Sequence, residues 1–280
     1  MTLRIGQKPS EHGRLGALVC LVVTMALFAG CQAPPPPATD NDDKLWSPEP
    51  LTGDAAAMPE GRDVMSRMLE FLTAHEQLGF EALVTYEAVQ ESGQMLHFDM
   101  VQRMAAHQPG RFWWTTLHDD ATVDSAWFDR GEFTLLRQPA NVWGQIDLPP
   151  NISDGVESLV FEYDLDVPFA DMLIGDPMEV WLGEDVSVDY VGEAWVDGFW
   201  TDHVALRKPG ADLEVWIRQG EEPFPVRRHI NFTDENGAPS YSARYRKWVT
   251  SLPDDAVTAF SPPPDAERVE LVAVNEYANE

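Results

Sequence analysis

Two blocks of period-two alternation, separated by a stretch with a different period, constrain this chain more than any other feature. Ala82, Val84, Tyr86 and Ala88 alternate with Leu83, Thr85, Glu87 and Val89, and Leu96, Phe98 and Met100 with His97, Asp99 and Val101. Further short runs follow at Arg111–Leu117, Ala126–Phe128, Phe133–Leu136 and Val142–Ile146, with Gly93, Gly110 and Asp129-Arg130-Gly131 as turns. Such spacing reads as an antiparallel meander, because alternate side chains of a strand point to opposite faces. The period returns from Val186 onward. Asp197-Gly198 is a hairpin signal between Val188–Val196 and Phe199–Arg207. Strands are then expected at Leu213–Ile217, Val226–Thr233, Ser240–Val249 and Arg268–Val274.

Between the blocks, Ile152, Val156, Leu159, Val160 and Tyr163 fall at helical spacing, with Ser153 and Asp154 as cap candidates. A short helix is expected over Phe169–Ile174, and another after Asp176-Pro177, where proline suits a first turn. Ahead of the first block, Val64, Met65, Met68, Leu69 and Leu72 mark an amphipathic helix over 61–79 that Gly79 would end.

The N-terminus reads as an export signal. Arg4, Lys8 and Arg14 precede an apolar run from Leu15 to Phe28, too short to span a bilayer. Leu27-Phe28-Ala29-Gly30-Cys31 then looks like a lipobox, with Phe28 where the usual leucine would stand. On that reading residues 1–30 are removed and Cys31 carries the diacylglycerol and palmitate-class acyl chains of a lipoprotein. The other reading is a secretory signal cleaved near Ala29 or Ala33, with Cys31 incidental. Residues 31–60 read as a linker, and Pro34–Pro37 favour an extended polyproline spacer. Gln32, in place of the Asp that retains lipoproteins in the inner membrane, points to the outer membrane. The expected location is the cell envelope, lipid-anchored and facing the periplasm.

Composition excludes several classes. The chain holds two cysteines, Cys20 and Cys31, so a chain processed at Cys31 has neither an intramolecular disulfide nor a cysteine-built zinc site. Its formal charge is −28, and loss of Arg4, Lys8, Arg14 and Glu11 carries it to −30. A field of that sign repels nucleic acid and anionic headgroups.

Enzyme signatures are poor: there is no Gly-x-Ser-x-Gly elbow, His-Glu-x-x-His or phosphate loop. His118-Asp119-Asp120 has no second histidine cluster nearby and is a weak metal candidate. His203 reads as a hydrogen-bonded structural residue, sharing a face with Thr201 and Ala205. Asp171 reads as a local cap or a partner for Arg207. No catalytic residue, metal or cofactor is expected.

From residue 61 onward the pattern resembles a bacterial family of predicted periplasmic proteins, domain of unknown function 2092. The resemblance rests on Asn141-Val142-Trp143, Pro168-Phe169-Ala170-Asp171-Met172-Leu173, Gly175-Asp176-Pro177, Tyr190-Val191-Gly192 and Val196-Asp197-Gly198. It also rests on His203–Arg207, Trp216-Ile217, Glu222–Pro225 and Phe260–Pro263. The family is similar in architecture to the Lol-type lipoprotein carriers. The resemblance implies an α+β fold over 61–280: a strongly curved antiparallel sheet, an unclosed β-barrel of about ten or eleven strands, with helices on its concave face. It also implies a cavity for an apolar ligand, a lipid or lipoprotein acyl chain. Phe169, Met172, Leu173 and Ile174 would form its lid, with Trp113 and Trp114 among its lining. The alternative is a non-enzymatic envelope scaffold whose core is filled and holds no ligand.

The anchor gives the first prediction. Cys31→Ala is expected to move the protein from the membrane fraction to the soluble periplasm, or to block its processing, as fractionation and intact mass would show. A variant that stays membrane-bound and normally cleaved defeats the lipoprotein reading.

Overall fold

The computed structural model describes residues 2–3, 59–253 and 260–274. Apart from Thr2–Leu3, the signal segment, Cys31 and nearly all of the linker therefore lie outside the described residues. Thr2–Leu3 pair in parallel with Glu270–Leu271. Among the described residues no helix is long and apolar enough to cross a membrane.

The first alternating block forms six strands: β1 (Gln77–Val89), β2 (Met95–His107), β3 (Arg111–His118), β4 (Val123–Asp129), β5 (Glu132–Gln138) and β6 (Val142–Asp147). The second forms five more: β7 (Ser187–Val196), β8 (Phe199–Lys208), β9 (Ala211–Arg218), β10 (Pro225–Phe232) and β11 (Ser240–Val249). Each meander pairs antiparallel in chain order, and β11 joins β1 to unite them. A two-residue strand β12 (Glu267–Arg268) adds in parallel to β6. The result is one open, curved sheet of 12 strands, ordered β12-β6-β5-β4-β3-β2-β1-β11-β10-β9-β8-β7.

The hairpin signal holds. Asp197 and Gly198 both have positive φ, 50° and 89°, which is the turn that matches strand twist, and Val196 faces Phe199 across it. The strand count rises to 12 through β12, and the expected strand at 268–274 shrinks to Glu267–Arg268 within this sheet. Beyond Arg268 the chain crosses Gly144 instead of running beside β6. A Cβ on Gly144 would lie 2.4 Å from Leu271 Cγ, so the missing side chain is what lets Leu271 reach the core.

Helix α1 (Gly61–Thr73) buries Val64, Met65, Met68, Leu69 and Leu72. It ends at Thr73, not at Gly79. Thr73 Oγ1 donates to Leu69 O, and Gly79 lies inside β1, where a Cβ would meet Val249, Leu252 and Met104 O at 3.0–3.1 Å. Arg62 donates to Leu182 O and Val186 O, tying α1 to the segment before β7.

The stretch between the blocks holds α2 (Ile152–Phe161), a 3-10 turn (Ala170–Met172) and α3 (Pro177–Leu182). Asn151, not Ser153 or Asp154, caps α2: its side-chain oxygen accepts from Asp154 N at 2.8 Å. Asp176 caps α3 with proline in its first turn, as the sequence implies. The expected helix over Phe169–Ile174 is only the 3-10 turn, because Phe169 has φ 63° and cannot continue a right-handed helix.

Gly155 in α2 gives a prediction whose sign runs against helix propensity. Alanine ordinarily stabilises a helix interior by about 1 kcal/mol over glycine. Here the added Cβ would fall 2.6 Å from Cε2 of Phe128, a fully buried ring. Gly155→Ala is therefore expected to destabilise the domain by about 1–3 kcal/mol, the usual cost of overpacking. A lower urea midpoint with unchanged slope would show it; a higher midpoint would refute the packing assignment.

Candidate functional site

The inner face of the sheet is built by register. Phe80, Met104, Trp114, Ala126 and Leu135 form one cross-strand row ending at Gly144. A parallel row runs Val204, Val215, Arg228, Ala243, Val84 and Met100. Every member of the second row is buried, and one of the six is charged. Arg228 is the one buried basic side chain among the described residues, at 5 % exposure.

The segment around the 3-10 turn sits against this face. Phe169 packs edge-on against Phe80 and Tyr245, with centroids 5.3 and 5.7 Å away, and against Trp248 at 5.7 Å. Val167, Phe169 and Met172 are buried, and Leu173 and Ile174 pack partly buried against the same core. Phe169 and Met172, with Leu173 and Ile174 packed beside them, thus contribute to the same core. A bulky residue at positive φ costs about 1–3 kcal/mol. The aromatic contacts of Phe169 hold it there against that cost.

The polar tie of this segment is an ion pair. Arg228 Nη1 donates to Asp171 Oδ1 at 3.0 Å, and the guanidinium lies 5.2 Å above the ring of Phe169 and 5.3 Å from that of Trp181. Trp181 Nε1 donates to Asp171 O, and Gly175 N donates to Ser153 Oγ. Asp171 thus pairs with Arg228 and not with Arg207, which is exposed and pairs with Asp212. Burial alone would depress the Arg228 pKa. The Asp171 carboxylate, followed by the Tyr245 and Tyr241 phenols, reverses that and drives it above the ordinary arginine value. Arg228 Nε has no hydrogen-bond partner among the described residues.

Trp113 and Trp114 part company. Trp114 is buried on the inner face and stacks on Phe112 and Phe133. Trp113 points to the outer face, where it registers opposite Trp127, which packs with Phe260. Successive residues of a strand cannot line one cavity. Strong two-sided hydrophobicity in β3 reflects this outer aromatic patch.

The remaining polar candidates are structural in geometry. Burial works against the charge on Asp124, but two hydrogen bonds from Arg137, with His118 beside them, outweigh it and hold its pKa below the usual value. The same carboxylate raises the His118 pKa against partial burial. His203 shares a hydrogen bond with Glu214 and stacks on Trp216 at 4.2 Å. Among the described residues no group of three or more His, Cys, Asp or Glu side chains is placed to hold a metal. Two cavities of about 440 Å³ open elsewhere. One lies at Gln108-Pro109-Gly110 with Arg130 and Asn151, and one is lined largely by Leu83, Asp99, Leu117, Asp119, Ser242 and Arg244.

Sequence reasoning missed Arg228. A signal was available: Val226, Arg228 and Ile230 share one face of β10, so period two places a cation between two buried apolar residues.

An open curved sheet whose inner face is covered by the segment crossing between its halves defines the architecture. The chain belongs to the family described as predicted periplasmic protein (DUF2092), whose model matches residues 61–272. No curated protein matches it. Similar solved structures include an uncharacterized conserved protein from Thermus thermophilus (14 % identity, 75 % of this chain and 98 % of that one, TM-score 0.43). Others are the Mycobacterium tuberculosis lipoprotein LppX (13 %, 72 % and 97 %, 0.40) and a LolA superfamily protein from Nitrosomonas europaea (7 %, 72 % and 99 %, 0.34). At this level the similarity extends to neither ligand nor mechanism.

Removing one partner of a buried pair leaves the other uncompensated. Asp171→Ala is expected to cost about 3 kcal/mol. The double variant Asp171→Ala/Arg228→Met should recover most of it. Urea unfolding of the four members of this cycle measures the coupling, and a double variant no more stable than the single one would show that the pair is not the tie.

Proposed function

We propose that this protein is a lipoprotein of the cell envelope, anchored through Cys31 and facing the periplasm. It binds an acyl chain of a lipid or lipoprotein on the concave face of its sheet. The segment 167–174 is the cover that a ligand displaces. One observation carries the reading: an apolar inner face occupied by a short irregular segment, held by aromatic contacts and a single ion pair. Regular elements elsewhere are locked by ladder hydrogen bonds, whereas this cover makes none with the sheet below it. Its removal exposes apolar surface at about 25 cal/mol per Å², so a few hundred Å² amounts to several kcal/mol. An apolar ligand replaces that contact. No catalytic step is part of this reading. A tethered protein of this kind acts as a fixed binder or receptor, because an acylated Cys31 prevents it from leaving the membrane as a shuttle does.

The scaffold alternative is favoured by a different observation: Met65, Met68, Phe112, Phe128 and Phe133 are large side chains fully buried in the interior. The two readings separate in a titration of the full chain carrying Cys31→Ala with a fluorescent fatty acid. Saturable binding at micromolar concentration is expected, altered by Met172→Asp or Leu173→Asp while circular dichroism shows the sheet intact. Absence of saturable binding gives the scaffold reading. Binding unchanged in folded Met172 and Leu173 variants places the ligand elsewhere.

A further inference from the structure

We propose that the ligand is an anionic amphiphile, and that Arg228 receives its carboxylate or phosphate head where Asp171 now sits. The inference rests on the acyl-binding reading above and names the class of ligand within it.

Arg228 is placed where a cation is otherwise out of keeping. Its cross-strand neighbours Val215 and Ala243 are fully buried and apolar, and the rings of Phe169, Trp181 and Tyr245 surround its guanidinium. The one carboxylate that compensates it belongs to the cover, not to the sheet. Lifting the cover therefore removes two things together: the apolar contact of Phe169 and Met172, and the counter-charge of Asp171.

A neutral ligand restores only the first. It would leave a guanidinium uncompensated in an apolar setting, which is among the most unfavourable arrangements a core can hold. A ligand with an anionic head restores both, exchanging one carboxylate for another at constant charge. Guanidinium suits this exchange, since its planar donors match carboxylate and phosphate oxygens in pairs. Arg228 now donates to Asp171 through Nη1 alone of the atoms paired across this contact, and Nε is buried without a partner. A head group not tethered to the cover can therefore take two donors where Asp171 takes one. In this arrangement Asp171 is a built-in stand-in for the ligand's head, competing with it for Arg228.

The test uses the full chain carrying Cys31→Ala, a dansyl-labelled fatty acid and its methyl ester, titrated against the parent, Asp171→Asn and Arg228→Gln. The acid is expected to bind about tenfold more tightly than the ester to the parent. In Asp171→Asn the affinity for the acid should rise about tenfold further, the competing carboxylate being gone. In Arg228→Gln acid and ester should bind equally. If the ester binds as well as the acid to both the parent and Asp171→Asn, anion recognition is wrong while the acyl-binding reading stands. If neither probe binds any form, that reading falls and takes this inference with it. Acetate and inorganic phosphate serve as chainless competitors. Displacement of the acid at equal concentration would make the site one for free anions and overturn the amphiphile. Should Arg228→Gln fail to fold, the acid-to-ester ratio in parent and Asp171→Asn decides the question.

Discussion

The geometry of this protein follows from one topological constraint. β6 and β7 are consecutive in the chain but lie at or beside opposite edges of an open 12-stranded sheet. The residues between them must travel from one side to the other. An open curved sheet also has an apolar inner face that water cannot be left to cover. One segment meets both needs: it crosses on the concave side and buries Ile152, Val156, Leu159, Val167, Phe169, Met172 and Trp181 as it goes. α1 covers the part near β7 and β8 and is fastened there by Arg62.

That solution is unequal along its length. α2 is a capped helix whose Gly155 allows close approach to Phe128, and α3 is capped by Asp176. Between them the chain is irregular, with a left-handed Phe169 and a three-residue turn. Local propensity contributes little to that middle stretch, so its position depends on contacts with the sheet. An element held by tertiary contacts and one ion pair is the natural place for opening to begin. The proposed binding mode places the ligand at this weak point.

The pairing of Asp171 with Arg228 illustrates how a charge can specify position more than it adds stability. An apolar pair of similar volume would be at least as favourable in such surroundings. A buried guanidinium instead demands one geometry of its partner, which fixes where the cover rests. In the proposed binding mode the same cation would also select the ligand, because whatever replaces the cover must satisfy it.

Several features were legible in the sequence because they depend on neighbours along the chain. The strands β1–β11 follow from period two, the turn at Asp197-Gly198 from the φ that such a turn requires, and α3 from Asp176-Pro177. The apolar character of Phe169, Met172, Leu173 and Ile174, bracketed by Pro168 and Pro177, marked a buried segment between the two blocks. Tertiary structure alone decided the rest. Asp171 meets Arg228 and not Arg207 because the choice depends on which strand lies beneath the crossing, a matter of sheet order that no local pattern carries. Trp113 and Trp114 look alike in sequence and face opposite ways, since the register of β3 against its neighbours assigns one to the core and the other to the outer aromatic patch. The sequence by itself determined a two-block sheet and an apolar segment between the blocks. Only the folded sheet, by bringing distant strands side by side, decided that a single buried cation would lie under it.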